Sequence, residues 1–364
     1  MKKERDTFMK FIHCADLHLD AKMSANLDKD KAKIRKTEIL HTFERMVEYA
    51  AEHDVFGILI AGDMFDTKNI TATTKNAVLY QINSHPDITF FYLNGNHDND
   101  NFLVNLDIIP ENLKMFGPNW TAYDFGKVVI TGIDLSAENT SLAHASLMLD
   151  SDKFNIVMMH GQDGELINLR ALKNKNIDYL ALGHIHAYKH EQLDARASYC
   201  YSGCLEGRGF DEVGEHGFVL LDVNEEDGTY SNEFVPFAKR KLYAVSVDVT
   251  DCQTSSEMIM KVVAALGETE CDETSLVKII LTGTLDVECE KDVDYILSRF
   301  QSQYFFVKIY DETTLKINAE DYMLDESLKG EYVRMIMQDT ALSEEDKTII
   351  IRYGLQVIAG EEVQ

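Results

Sequence analysis

The sequence predicts an α/β fold followed by a second, smaller α+β domain. The chain has 364 residues, more than one hydrophobic core usually supports. Short β-branched apolar runs alternate with amphipathic segments from residue 9 to about residue 190, and a similar alternation restarts after residue 238. Alternating strand and helix patterns are typical of a sheet with helices packed on its faces.

The first domain is expected over residues 9–238. Its apolar runs predict buried strands, and segments between them predict helices, among them Thr37 to His53, TTKNAVLYQINSH and NTSLAHASLML. From residue 197 the pattern changes to paired strands separated by turn-rich sequence. The predicted strands are FIHC, VFGILIAGD, ITFFYLNGNHD, VVITGID, FNIVMMHG, IDYLALGHIH, SYCYSG, GFVLLDV and NEFVPF.

The second domain is expected over residues 239–322, and a pair of helices over residues 323–364. LYAVSVDVT, LVKIILTGTL and FFVKIYDE alternate as strands, and SSEMIMKVVAAL and EKDVDYILSRF between them have helical spacing. This β-α-β-α-β order predicts a small domain. LKGEYVRMIMQ and TIIIRYGLQVIAG predict the final helices, the second preceded by a capping-box pattern at Ser343.

Composition restricts the location and partners of the protein. No apolar run approaches the roughly 20 residues of a membrane span, and no signal-peptide core is present. Six scattered cysteines fit free thiols in a reducing cytoplasm, with Cys200 and Cys204 expected in packing. The net charge of −27 repels polyanions at long range. Either the substrate is not nucleic acid, or metal ions and a local basic patch offset this field.

Metal-ligand residue types occur in five loops at the ends of predicted strands. In an α/β sheet the carboxyl ends of the strands converge on one crevice, where ligands bind. Glycines beside the candidate ligands let the backbone approach closely. The segments are Asp16-Leu17-His18, Gly62-Asp63-Met64-Phe65-Asp66, Gly95-Asn96-His97-Asp98, His160-Gly161 and Gly183-His184-Ile185-His186.

This residue set suits two divalent ions that share one carboxylate. Two metals about 3.5–4 Å apart can activate water and neutralise the charge on a phosphoryl group. Imidazole and carboxylate ligands together favour Mn, Fe, Zn or Ni over Mg or Ca alone. Asp63, flanked by Gly62, is the candidate bridge. His97 stays available to contact a substrate phosphate or to protonate the leaving oxygen, and Asp98 can orient the His97 ring.

The motifs D-x-H, G-D-x-x-D, G-N-H-D, a lone H and G-H-x-H, in this order, resemble the calcineurin-like metallophosphoesterases. HCADLHLD, AGDMFD and YSGCLEGRGFDEVGEHGFVLLDV narrow the resemblance to the SbcD/Mre11 family of DNA-repair nucleases, although Ser-Gly-Cys replaces that family's more usual Pro-Gly-Ser. The resemblance implies a four-layer α-β-β-α sandwich and a capping domain. It implies one metal on Asp16, His18, Asp63 and His186, and another on Asp63, Asn96, His160 and His184. His97 matches the catalytic histidine.

Three further features each allow two interpretations. Arg208, between two glycines, either meets a substrate phosphate or lies in a surface turn. Asp66 either accepts a hydrogen bond from a metal ligand or caps its loop. Lys239-Arg240-Lys241 either contacts a DNA backbone or forms a solvated linker.

The function expected first is metal-dependent hydrolysis of DNA phosphodiesters, most naturally with Mn²⁺. The alternative is a phosphoesterase acting on nucleotides or other small phosphoesters, which the acidic composition favours. An inactive scaffold is the third hypothesis, but every motif position is filled. The family resemblance also implies that the C-terminal helices grip an SMC-like ATPase of the SbcC/Rad50 type; the alternative is that they pack on the capping domain of the same chain. A homodimer is left open.

Overall fold

The apolar runs predicted as strands form two six-stranded sheets in the first of two structural units, Met1–Lys241, and the second unit is Leu242–Gln364. The computed structural model describes residues 8–23, 27–66, 70–96, 98, 106, 108–286, 289–316, 322 and 324–359. The described strands of the first unit are β1 (Phe8–Cys14), β2 (Gly57–Ala61), β3 (Thr89–Leu93), β4 (Leu113–Met115), β5 (Thr121–Phe125), β6 (Val128–Gly132), β7 (Phe154–His160), β8 (Tyr179–Gly183), β9 (Lys189–Gln192), β10 (Ser198–Tyr201), β11 (Gly217–Asn224) and β12 (Tyr230–Pro236). Its described helices are α1 (Lys29–Glu52), α2 (Ala72–Ser84), α3 (Thr140–Ser146) and α4 (Leu169–Leu172).

The first sheet has the order β12–β11–β1–β2–β3–β4, in which β1 to β4 are parallel. Cys14 pairs with Ile60, and Ala61 pairs with Leu93. The carboxyl ends of β1, β2 and β3 are therefore level with one another. The loops that follow these strands therefore start side by side, at the carboxyl-terminal ends of the parallel strands.

The second sheet has the order β5–β6–β7–β8–β10–β9, with β6, β7, β8 and β10 parallel and the two edge strands antiparallel. His160 pairs with Gly183, so β7 and β8 also end level. The second sheet thus carries two of the five predicted loops at one edge.

A continuous apolar core lies between the two sheets. Phe11, Leu59 and Phe91 from the first sheet pack with Ile156 and Tyr179 from the second, all fully buried. Each such side chain contributes roughly 1.5–3 kcal/mol relative to an exposed one. Helices α1 and α2 cover the outer face of the first sheet, and α3 and α4 cover that of the second. The resulting four-layer α-β-β-α sandwich confirms the predicted fold class.

Helix α1 begins at Lys29, eight residues before the predicted start at Thr37. The side chain of Asp28 accepts hydrogen bonds from the backbone of Asp30 and Lys31, which caps the helix. The added turns were not recognised because the fully buried residue in them, Arg35, is charged and forms ion pairs with Glu38 and Glu206. Hydrophobic periodicity cannot detect a turn of this kind.

Several short elements were also absent from the sequence prediction, among them β4, β5, β9 and α4. Strand β9 is exposed at all four residues, so it shows no alternation between apolar and polar side chains. Strand β4 has only three residues. Such segments become strands because a neighbouring strand offers its edge, which local sequence does not encode.

The second unit contains the predicted β-α-β-α-β order. Its described elements are β13 (Leu242–Asp248), α5 (Ser255–Gly267), β14 (Leu276–Thr282), β15 (Thr284–Asp286), α6 (Val293–Ser298), β16 (Phe306–Asp311), β17 (Thr314–Lys316), α7 (Leu328–Met337) and α8 (Glu344–Ala359). Strands β13, β14 and β16 form a parallel sheet in that order, and β15 pairs with β17. Val262 of α5 and Ile296 of α6 pack fully buried on this sheet.

Helices α7 and α8 pack on each other through a small apolar cluster of their own. Val333, Ile351 and Leu355 are almost completely buried in it, and the Tyr332 hydroxyl donates to the carbonyl oxygen of Ile350 at 2.7 Å. The Ser343 hydroxyl accepts from the backbone of Asp346 at 3.1 Å, which confirms the predicted cap. Gly360, the predicted end of α8, lies outside the described residues.

Candidate metal centre

Seven of the residues predicted as metal ligands follow or end parallel strands of the two sheets. Asp16 follows β1, Asp63 follows β2, Asn96 follows β3, and His160 is the last residue of β7. His184 is the first residue after β8, with His186 close behind it; His18 lies two residues after Asp16. The loops are joined through their backbones, since the Asp16 amide donates to the Gly62 carbonyl and the His18 amide to that of Asp63, both at 3.0 Å.

Four of these residues have strained backbones. Asp16, His18, Asp63 and His184 have φ angles of 52°, 44°, 51° and 100°. A non-glycine residue in this region costs of order 1–3 kcal/mol, and such residues persist where the surroundings fix them, often at functional sites. The folding energy of the sandwich therefore maintains the directions in which these side chains point.

The first candidate group consists of Asp16, His18, Asp63 and His186. One donor atom each of Asp16, His18 and His186 lies within 4.8 Å of the other two. The Nε2 atoms of His18 and His186 are 3.3 Å apart. His18 Nε2 is 3.9 Å from Asp63 Oδ2, and His186 Nε2 is 3.9 Å from Asp16 Oδ1. Two imidazole nitrogens and an Asp16 oxygen thus surround one point, with an Asp63 oxygen 3.9 Å from one of the nitrogens.

The hydrogen bonds of the two rings decide which nitrogen faces that point. His18 Nδ1 donates to Asp66 at 3.0 Å, and His186 Nδ1 donates to Glu212 at 2.6 Å. Each ring therefore directs the lone pair of Nε2 inwards. A proton between the rings can join two of the four surrounding atoms, whereas a divalent cation can bind all four. The residues of the first candidate group fit a metal ion.

The second candidate group consists of Asp63, Asn96, His160 and His184. His160 Nδ1 donates to the Ala61 carbonyl at 2.9 Å, which turns Nε2 towards Asn96 Oδ1 at 3.1 Å and Asp63 Oδ2 at 3.4 Å. His184 Nδ1 lies 3.3 Å from the same Asn96 oxygen. This oxygen between two imidazoles, with a carboxylate beside them, fits a second cation.

Asp63 lies between the two groups. Its Oδ2 atom is 3.9 Å from His18 Nε2 in the first group and 3.4 Å from His160 Nε2 in the second. Asp16 also touches both, because Asp16, Asp63 and His160 form another set with donor atoms within 4.8 Å of one another. In addition, the Asp16 carboxylate accepts from the His184 amide at 2.9 and 3.1 Å. The backbone bonds fix the orientation of Asp16, while the bridging role of Asp63 stays a prediction.

Burial leaves this cluster in need of positive charge. Asp16 and Asp63 are 1% and 2% exposed, and burial raises the pKa of Asp16. Burial opposes the charged form of His160, but its hydrogen bond to Asp63 and the negative charges of Asp16 and Asp63 raise its pKa to about 9. Buried carboxylates are stable when they are paired or coordinate metals. The site therefore attracts cations.

Glycines permit the close approach of these loops, as the sequence predicted. A β-carbon on Gly62 would lie 2.2 Å from His160 Nδ1, and one on Gly95 would lie 2.1 Å from Asp63 Oδ1. Gly62 also has a φ of +92°, which disfavours any other residue. The two loops can reach the candidate ligands only without side chains at these positions.

Comparison with known proteins agrees with this geometry. The model of the calcineurin-like phosphoesterase family matches residues 9–188, which contain all seven candidate ligands. These residues belong to that family. The chain is a metal-dependent phosphoesterase, and its fold implies a dimetal centre.

Individual similar proteins have low sequence identity to this chain, but the similarity extends over more than half of it. A Bacillus subtilis protein described as the uncharacterized metallophosphoesterase YhaO is 26% identical over 300 residues, covering 76% of this chain and 72% of that protein. The DNA double-strand break repair protein Mre11 of Sulfurisphaera tokodaii is 23% identical over 347 residues, covering 87% and 84%. A dimetal phosphatase structure from Danio rerio has a TM-score of 0.42 at 11% identity, covering 58% and 92%.

The catalytic residues predicted for the phosphoesterase are only partly described. His97 lies outside the described residues, so its position and the orienting role of Asp98 remain predictions. Asp98 itself is buried and accepts from the amides of Gly95, Met64 and Phe65 at 2.9–3.2 Å. Burial raises the Asp98 pKa to about 6. Its carboxylate links the loop after β3 to the loop after β2.

Asp66 and Arg208 both contact the surroundings of the first candidate group. Asp66 bonds to His18, the first of the two arrangements that its sequence allowed. Arg208 pairs with Glu212 at 2.8 Å and lies 3.6 Å from Asp66. Its side chain is only 21% exposed, so it does not lie in an open surface turn.

The basic run at residues 239–241 is not a freely solvated linker. Arg240 pairs with Glu38 at 2.6 Å, and Lys241 pairs with Glu215 at 3.0 Å. Carboxylates of the same unit therefore engage two of its three cations.

The two cysteines near the last motif serve packing, as predicted: Cys200 is in the core between the sheets, and the buried Cys204 thiol contacts His216.

Sequence reasoning missed the role of Glu212. It lies in the quoted GRGFDE stretch, but neither spacing nor residue type connects it to His186, 26 positions earlier. The signal that could have found it is the general rule that a metal-binding histidine donates its other ring N–H to a carboxylate or carbonyl.

No helix of the part that the structure describes could span a membrane.

Proposed function

We propose that this phosphoesterase hydrolyses DNA phosphodiester bonds, as an exonuclease or endonuclease of the SbcD/Mre11 kind in DNA repair. One observation carries the proposal. The match to the Mre11 protein of Sulfurisphaera tokodaii covers 87% of this chain, far beyond residue 188 and beyond the end of the first unit at Lys241. The likeness thus includes part of the second unit, an addition that a minimal phosphatase does not need.

The proposed metal ligands are the two candidate groups. Asp16, His18, Asp63 and His186 would hold one ion, and Asp63, Asn96, His160 and His184 the other. When bound, such a pair supplies an activated water molecule and positive charge for the phosphoryl group. Mn²⁺ is the ion we propose, because mixed imidazole and oxygen ligands suit it; Fe, Zn and Ni have similar preferences.

The chain's own groups complete the proposed reaction. His97 follows Asn96 directly, which supports its role in contacting the substrate phosphate and protonating the leaving oxygen. Asp98 keeps the loop carrying Asn96 against the loop of Asp63 by accepting from the Met64 and Phe65 amides, and it also accepts from the Gly95 amide of its own loop. The buried Asp16 fixes the backbone of His184. Proton donation of this kind typically contributes 10²–10⁴-fold in rate.

Hydrolysis of nucleotides or other small phosphoesters is the second candidate function. A net charge of −27 supports it, because a polyanion such as DNA is repelled at long range, whereas a small substrate meets mainly the local field of the metals. The two pairings of the basic run at residues 239–241 also favour it, since they occupy cations that a DNA backbone would need.

Separate assays on DNA and on small phosphoesters distinguish the two functions. The purified chain with Mn²⁺ is given labelled single- and double-stranded DNA, and separately bis(p-nitrophenyl) phosphate and nucleoside monophosphates. The DNA proposal expects cleavage of DNA that Asp63→Asn abolishes. Turnover of the small esters without cleavage of either DNA would support the alternative.

We further propose that residues 323–364 dock an SMC-like ATPase of the SbcC/Rad50 type, that residues 239–322 form a capping domain, and that the protein acts in the cytoplasm. After α7 and α8 pack on each other, apolar side chains stay exposed on both helices: Met335 is 60% exposed and Val357 is 62% exposed. Exposed apolar patches of this kind often mark interaction sites. A basic surface on such an ATPase would offset the acidic charge of this chain.

Co-purification with the co-expressed ATPase tests the docking. Met335→Asp with Val357→Asp should abolish co-purification and leave Mn²⁺-dependent cleavage of short single strands intact. Met260→Asp is the matched control, because Met260 is a 71% exposed methionine on α5. Equal loss of co-purification in the control would contradict docking at α7 and α8. Sedimentation of the purified chain decides whether it also forms a homodimer.

A further inference from the structure

Arg208 connects the two carboxylates that hold the histidines of the first candidate group. Its Nη1 is 3.6 Å from Asp66 Oδ1, and its Nη2 is 2.8 Å from Glu212 Oε1. Asp66 in turn accepts from His18 and Glu212 accepts from His186. One guanidinium thus lies behind both inward-facing rings.

We propose that Arg208 is a positioning residue for one of the two metal sites, acting through Asp66 and Glu212 on His18 and His186, and that it does not bind the substrate phosphate. This inference rests on the metal ligands assigned under the proposed function. It does not depend on DNA being the substrate.

The contacts of Glu212 explain why a cation is needed there. Its side chain is 5% exposed; Oε1 accepts from Arg208 Nη2 and from His186 Nδ1, and Oε2 accepts from the Arg208 amide at 2.6 Å. Arg208 therefore contacts both oxygens of Glu212 and holds Oε1 where it accepts from His186 Nδ1.

The directions of the guanidinium nitrogens argue against phosphate binding. Nε and Nη2 both donate to Glu212, at 3.2 and 2.8 Å, and Nη2 also lies 3.2 Å from His186 Nδ1, while Nη1 faces Asp66 at 3.6 Å. A phosphate that bound the two-pronged face of Nε and Nη2 would have to displace Glu212, with the loss of the support of His186. Lysine cannot replace this residue, because one ammonium lacks the planar fork that reaches two carboxylates.

The second candidate group provides an internal control, since His160 is held by the Ala61 carbonyl rather than by a carboxylate. Mn²⁺ is titrated into the full-length, metal-free chain, and calorimetry and electron paramagnetic resonance follow the two sites. Arg208→Gln should weaken one Mn²⁺ site by about 10–100-fold, the usual effect of losing outer support for a ligand, and leave the other unchanged. Arg208→Lys should not restore the weakened site.

Arg196→Gln is the matched control. Arg196 also forms a two-pronged pair, with Asp178 at 2.8 Å through both Nε and Nη2, but it contacts no candidate ligand in the described structure. This variant should keep both Mn²⁺ affinities. The melting temperature of metal-free Arg208→Gln should match that of metal-free Arg196→Gln within a few degrees.

Three results would overturn the proposal. Wild-type Mn²⁺ affinities in Arg208→Gln, together with a raised KM for the phosphodiester or weaker binding of inorganic phosphate, would make Arg208 a phosphate ligand. Equal loss of both sites with a large fall in the metal-free melting temperature would make it structural only. A wild-type chain that does not bind two Mn²⁺ ions would remove the site itself. A wild-type chain that binds two ions but cuts no DNA contradicts only the proposed substrate.

Discussion

The two halves of the candidate metal centre are supported in different ways. In the first candidate group, His18 and His186 are oriented by the charged side chains of Asp66 and Glu212. In the second, His160 is oriented by the backbone carbonyl of Ala61. Carboxylate support raises the basicity of an imidazole and depends on a few side chains, whereas backbone support depends on the fold of the strand. Single substitutions should therefore weaken the first half far more easily than the second.

Asp63→Asn should have the largest effect because Asp63 serves both halves. Its Oδ2 faces His18 at 3.9 Å and His160 at 3.4 Å, so loss of the charge affects both ions at once. Losing several kcal/mol of metal stabilisation should lower kcat by about 10³–10⁴-fold. Metal analysis of the purified variant should show both sites depleted. Loss of one ion alone would contradict the bridging role.

His97→Ala should lower kcat by roughly 10²–10⁴-fold while both metals stay bound, since a general acid is lost but no ligand. Metal content and turnover of the same preparation give the two readings. If metal binding collapses together with activity, His97 is a ligand and its predicted role is wrong.

His18→Ala and His160→Ala should separate the halves. The first should empty the site next to Asp66, and the second should empty the site next to Asn96, each with one Mn²⁺ remaining per chain. Elemental analysis after dialysis counts the ions. Equal depletion of both sites by either variant would mean that the halves are not independent.

Asp66→Asn and Gly62→Ala test the two kinds of support directly. Asp66→Asn should weaken only the first site, by about 10-fold, because the amide is a poorer acceptor for His18. Gly62→Ala should weaken only the second, since the new β-carbon would lie 2.2 Å from His160 Nδ1. Mn²⁺ titration measures both effects. The reverse pattern would contradict the distinction between carboxylate and backbone support.

The smallest predicted effect concerns the ion pairs around the buried Arg35, which contacts the residue next to Arg208 in the chain. Arg35 pairs with Glu38 and Glu206 and donates to the Gly207 carbonyl; Arg240 also pairs with Glu38. Burial of Glu38 opposes ionisation, but bonds from Arg240 and Arg35 leave its pKa lowered from 4.5. The pKa of Glu38 in the folded state is thus lower than its value of 4.5 in the unfolded chain. Ionised Glu38 therefore stabilises the fold above pH 4.5, and this stabilisation is lost as the pH falls through the folded-state pKa.

Glu38→Gln should therefore cost about 1 kcal/mol of unfolding free energy at pH 7 and reduce the loss of stability below pH 4.5. Urea unfolding of the metal-free chain at pH 7 and at acidic pH measures both quantities. A variant whose stability falls with acid as steeply as that of the wild type would exclude Glu38 as a source of this pH dependence.

The sequence predicted the parts of this protein that local pattern encodes. The buried strands and the loops after them were recognisable because apolar runs end in Asp, Asn, His and Gly, and parallel strands bring such ends together. The first turns of α1 were not, although Asp28 is a local N-cap, because Arg35 is buried there in charge pairs that include the distant Glu206. The role of Glu212 was not, because it depends on a pair with the distant His186. Such pairs have no periodicity. Strand β9 was missed for a related reason, since only its pairing with β10 defines it.

The most direct test of the central claim is anomalous scattering from crystals of the full chain grown with Mn²⁺. Two difference peaks about 3.5–4 Å apart, one beside His18 and His186 and the other beside His160 and Asn96, with Asp63 between them, are the predicted result. A single fully occupied ion in metal-replete crystals, or two ions of which one has no bond to Asp63, would contradict the dimetal centre described above.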